Sequence, residues 1–98
     1  MSAEWVSEPE PFYRSTTPTT GDVEEYIVRE FQRVRDKRPL RVHVVKIPHE
    51  LGAIIHLEEV TEDDRAFVKK LEQSLTQGSG EEVALVAVEG SGATAQRR

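Results

Sequence analysis

Cysteine is absent from this chain. That excludes disulfide staples, thiolate zinc sites and a cysteine nucleophile, and it fits a reducing compartment. Long apolar runs are absent too. No stretch approaches the roughly 18 apolar residues of a membrane span, so no membrane contact is expected. The opening residues, MSAEWVSEPEP, hold neither a basic start nor an apolar core. No signal peptide is expected from them, and the expected location is cytoplasmic. Motifs for nucleotide chemistry are also missing. The Gly-Ser-Gly triplets at 78–80 and 90–92 lack the strand-loop-helix context and lysine of a phosphate loop, and read as connectors.

Charge is plentiful, at 32% of the 98 residues, which suits a soluble chain. The net charge of −5 is unevenly spread: residues 29–46 carry +5 and the remainder −10. The length allows one small domain, expected over 21–89 between disordered tails at 1–20 and 90–98. Such a domain buries only about 60% of the surface its unfolded chain exposes. Its margin of stability is thin, and self-association would add to it.

Three prolines and no periodicity mark residues 1–20 as a tail. Trp5, Phe12 and Tyr13 stand out there. Either one of them covers an edge of the core, or the EPFY stretch is a short docking motif. Asp22 is expected to cap a first helix, with Glu25 completing a capping-box-like pair. Val23, Ile27, Phe31 and Val34 form its apolar stripe, and Pro39 ends it.

Residues 40–47 alternate as a strand, 48–52 supply turn chemistry with positive φ expected at Gly52, and 53–60 form a second strand. A rival reading makes 48–60 a helix opened by Pro48. Gly52 and the β-branched pair Ile54-Ile55 favour the hairpin. Thr61 caps a second helix, with Glu62, Asp63 and Asp64 in its first turn and Gly78 at its end. Its stripe is Phe67, Leu71 and Leu75, flanked by Val68. Residues 83–88 are apolar on both faces, as in a central strand.

The resulting order is α-β-β-α-β, an α+β class with a three-stranded mixed sheet and two helices on one face. The second and third strands are expected to be parallel, in sheet order 2-1-3. This layout resembles a ferredoxin-like fold lacking one strand, or a KH-like arrangement. The resemblance is one of layout alone, and the KH GxxG loop is absent.

The candidate sites follow from that layout. Val42, Val44, Ile55 and Leu57 are expected to face the helices, leaving His43, Val45, Ile47, Ile54 and His56 on the other face. His43 and His56, with Glu58, are conceivable metal ligands, but half-buried structural histidines are the commoner case, and no metal or cofactor is expected. His49 lies too far along the hairpin to join them. The acidic pairs 24-25, 58-59, 63-64 and 81-82 point apart on their elements, so no acid–base pair is set up and no enzyme is expected.

Arg29, Arg33 and Lys37 recur every fourth residue, and Arg41 continues the basic run. Such a row suits phosphates, an acidic partner or plain solvation. No aromatic residue is interleaved with it for base stacking. The expectation is therefore a non-enzymatic interaction or adaptor domain, forming a homo-oligomer through His43, Val45, Ile47, Ile54 and His56, with Val86 adding to the patch. The alternative is a nucleic-acid-binding domain using Arg29, Arg33, Lys37 and Arg41.

Overall fold

The structure is a computed structural model that describes residues 9–12 and 19–90. Trp5, Tyr13 and the segment 91–98 lie outside the described residues. The elements are α1 (Thr20–Glu30), which continues as a π-helical turn (Phe31–Arg35), β1 (Arg41–Ile47), β2 (Glu50–Leu57), α2 (Glu62–Ser79) and β3 (Glu82–Glu89). The order α-β-β-α-β and the mixed sheet are as the sequence predicts.

Helix α1 starts earlier than expected. Thr19, not Asp22, is the cap: its Oγ1 accepts from the Asp22 N–H at 3.1 Å, and the Asp22 carboxylate accepts from the Thr19 N–H at 2.9 Å. Both donors belong to the first turn, which has no intrahelical partners to offer them. The helix also ends before Pro39. Asp36 takes the left-handed conformation at φ 57°, and the Lys37 N–H returns to the Phe31 carbonyl at 3.3 Å. A short side chain that tolerates positive φ stops the helix three residues ahead of the proline.

Residues 48–60 are not a helix. β1 and β2 are antiparallel with Ile47 opposite Glu50, so the turn is the two residues Pro48 and His49. His49 holds the positive φ of 69° expected at Gly52. A proline followed by a residue at positive φ is the type II arrangement. Gly52 lies instead inside β2. The Thr61 cap is as predicted: Thr61 and Asp64 bond reciprocally at 3.2 and 2.9 Å. Gly80, at φ 75°, ends α2 in place of Gly78.

The strand order is β1-β2-β3, with β2 parallel to β3. The predicted 2-1-3 order is therefore wrong, although the parallel orientation of β2 and β3 is right. The hairpin and the crossover each place consecutive strands side by side, which leaves β2 in the centre. β3 is an edge strand, and its outer side is partly closed by Glu72 of α2, which accepts from the Leu85 N–H at 2.8 Å. Both helices cover one face. Val23, Ile27, Phe31, Phe67, Leu71 and Leu75 pack there on Leu51, Ala53, Ile55 and Leu57. Phe31 and Phe67 meet edge to face at 5.1 Å.

Within the segment expected to be a tail, residues 9–12 are anchored on the helical layer. Phe12 is buried and packs edge to face on Tyr26 at 5.0 Å. The Phe12 N–H donates to Ser74 Oγ at 3.2 Å, the Tyr26 hydroxyl donates to the Glu10 carbonyl, and the Glu10 N–H donates to Glu30 Oε1 at 3.0 Å. Burial pushes the Tyr26 phenol pKa up.

The approach requires Gly78, because a Cβ there would lie 1.6 Å from the Phe12 carbonyl oxygen. Gly78→Ala should therefore lower the melting temperature, although alanine favours the helix by about 1 kcal/mol. Phe12→Ala should cost about 1.5–3 kcal/mol for the lost burial. Denaturant titration of both variants and their double mutant checks this; the double should cost clearly less than the two singles added.

Candidate interaction surface

The charged residues of the helical layer resolve into two clusters. Glu30 lies in the same helical stripe as Val23, Tyr26, Ile27 and Phe31, and its side chain is fully buried. Its Oε1 accepts from Arg33 at 2.6 and 3.2 Å, and its Oε2 accepts from Arg29 Nε at 3.2 Å. Burial alone would raise the Glu30 carboxyl pKa. The bonds from Arg33, the Glu10 backbone and Arg29 outweigh it and hold the pKa below the usual carboxylate range.

Asp64 is buried at the start of α2. It accepts from Arg35 Nε at 2.9 Å, from the Lys37 ammonium and from the Thr61 N–H. Burial again works to raise its pKa, and the bond from Lys37, followed by those from Thr61 and Arg35, pushes it down to about 2. Lys37 also donates to the Glu59 carbonyl at 3.1 Å.

These pairings dissolve the row read from the spacing. Arg29 and Arg33 converge on Glu30, and Lys37 turns to Asp64. Arg41 lies across the sheet, on the face turned away from the helices. The helix ends at Arg35, so Lys37 no longer stacks below Arg33. The π-helical turn, with its wider i→i+5 step, spoils the four-residue period further.

The second sheet face carries the other group of predicted residues, and the structure brings them together. The register sets out four rows across the strands. They are Arg41-His56-Val88, His43-Ile54-Val86, Val45-Gly52-Ala84 and Ile47-Glu50-Glu82. Val45, Ile47, Ile54 and Val86 are 51%, 50%, 39% and 48% exposed, although each lies within regular strand. Two adjoining hollows of about 330 and 270 Å³ share Val45, Gly52 and Ala84 as lining. The absent Cβ of Gly52 and the short Ala84 make that dent. Val88 and Glu82 complete the face, Glu82 falling just before the strand expected over 83–88.

His43 and His56 are on this face but are not opposite each other. His43 pairs with Ile54 and His56 with Arg41, which puts the imidazoles on a diagonal. His56 Nδ1 lies 2.9 Å from the Gly90 carbonyl and donates to it. Among the described residues no group of three or more His, Asp or Glu side chains is arranged around a metal position. No described helix is long and apolar enough to cross a membrane. Phe12 is buried in the core on the helical side of the sheet, not on this face.

Comparison of the chain with family models, curated proteins and solved structures gives no match. The reading of the face therefore rests on its own geometry.

The buried clusters predict an acid limb. The Asp64 pKa lies below its ordinary 3.8, so folding favours the ionised form. That contribution is complete above about pH 4 and is lost as pH falls towards 2. Arg35 and Lys37 are 24% and 29% exposed and keep some access to water. Asp64→Asn should therefore cost about 2–3 kcal/mol at pH 7, less than a fully buried pair. Urea titrations across pH 2–7 check this, with the gap from the parent chain narrowing below pH 4.

Proposed function

We propose that this chain is a non-enzymatic interaction module that acts by burying the uncovered sheet face, with a second copy of itself as the partner. The observation that carries the reading is the joint exposure of Val45, Ile47, Ile54 and Val86 on one side of a sheet whose other side packs against the two helices. Isolated exposed aliphatic residues need no explanation, but four that adjoin on one flat face do.

Three strands spaced about 4.8 Å apart and some 25 Å long present roughly 350 Å² in projection. A standard stable interface buries about 800 Å² per partner, so this face with its rim suits a modest, concentration-dependent association. A dissociation constant on the order of 1–100 μM is expected. The polar groups at the two ends of the face, Arg41 and His56 against Glu50 and Glu82, supply such a rim.

Ile47→Lys tests the reading. Ile47 is already half exposed, so the monomer should keep its fold and its dilute melting temperature. Sedimentation should show association weakened by about tenfold or more, because a lysine replaces an aliphatic group at each copy's contact. A wild-type chain that remains monomeric at several hundred micromolar would remove the proposal.

A further inference from the structure

The uncovered face is polarised along the strands. Its β1-start end carries Arg41, with His56 beside it, and its opposite end carries Glu50 and Glu82. Between them lie one row with the bulky pair Ile54 and Val86 and one row with the small pair Gly52 and Ala84. A second copy can stack on this face about a two-fold axis that runs either along the strands or across them.

The two choices are not equivalent. With the axis along the strands, each row meets itself. Glu50 then opposes the partner's Glu50, Ile54 opposes the partner's Ile54, and Gly52 opposes the partner's Gly52 with Val45 over the partner's Ala84, so no side chain stands directly over the Gly52 dent. With the axis across the strands, the first row meets the last and the two middle rows meet each other. Each strand then meets its own copy, so His56 comes over the partner's Glu50, Arg41 comes over the partner's Ile47 with its long side chain one strand spacing of about 4.8 Å from that Glu50, and Ile54 and Val86 come over the partner's Gly52 and Ala84. Charge complementarity and bulk-into-dent packing select the same arrangement independently.

We infer that two copies of this chain stack their uncovered sheet faces antiparallel, about a two-fold axis across the strands, with Arg41 and His56 of each copy over the Glu50 end of the other. This rests on the self-association proposed above. Sheets stack about 10 Å apart with their strands crossing at a shallow angle of about 30°, which keeps the row correspondence over only three strands.

The test is a set of variants of the full chain followed by sedimentation. Arg41→Glu sets a new carboxylate against Glu50, and Glu50→Lys sets a new ammonium against Arg41. Each single change should weaken the dimer by about tenfold, and the double variant R41E/E50K should return it to within about threefold of wild type. A third variant addresses packing. A Cβ at Gly52 would have the Ala84 carbonyl oxygen as its nearest neighbour at 3.6 Å, ordinary contact, so Gly52→Val fits the monomer. It should weaken the dimer by about tenfold without lowering the dilute melting temperature, because it fills the dent that receives Ile54.

The outcomes separate cleanly. A wild-type dimer that Ile47→Lys disrupts, but that ignores Arg41→Glu or is not restored by the double variant, keeps the interaction module and overturns the antiparallel arrangement. Tighter association of Gly52→Val would favour the along-strand axis and overturn it too. A monomeric wild-type chain, its face covered by its own termini or by another protein, overturns both.

Discussion

The constraint on which this structure depends is one-sided coverage. A three-stranded sheet has two faces, and this chain supplies two helices that both lie on the same one. β2, in the centre, directs Leu51, Ala53, Ile55 and Leu57 into that packed layer. Its alternate residues, Glu50, Gly52, Ile54 and His56, necessarily face the other way. Had that second face been polar, the domain would be a simple two-layer unit with a solvated back. Its middle rows are mainly aliphatic instead, with His43 on the β1 side, and Arg41, Glu50 and Glu82 lie at its two ends.

Electrostatics on the helical side have a different use. Among the described residues two carboxylates are buried, and each is held by two cations: Glu30 by Arg29 and Arg33, Asp64 by Arg35 and Lys37. Asp64 ties the end of the first helix to the start of the second, and Glu30 also fixes the Glu10 backbone. Arg29, Arg33, Arg35 and Lys37 are thus the counterparts of the chain's own buried Glu30 and Asp64. Reversing Arg33 or Lys37 would set a carboxylate against a buried carboxylate, so such variants report on folding before they report on any partner.

Much of this architecture is legible in the sequence. The Thr61 capping box, the helical stripes and the alternation about Val42–Val44 and Ile55–Leu57 rest on local periodicity, and they place the correct residues on each sheet face. Features that depend on tertiary contact are not legible in that way. Nothing local distinguishes the buried Glu30 and Asp64 from their solvated neighbours, although Glu30 does fall within the apolar stripe. Phe12 is held by Gly78, 66 positions further along the chain, through a close approach that no short window reveals. Residues 83–88 read as a central strand because both their faces are apolar; in fact β3 is an edge, and its second apolar side, Ala84, Val86 and Val88, belongs to the uncovered face.

The central claim is that this face is buried by association, and a dilution series followed by methyl NMR tests it most directly. The account predicts that methyl resonances of Val45, Ile47, Ile54 and Val86 move with protein concentration, while those of the core residues Ile27, Ile55, Leu71 and Leu75 stay in place. Concentration-independent spectra for the four face residues up to several hundred micromolar, or shifts confined to the helical side, would contradict it.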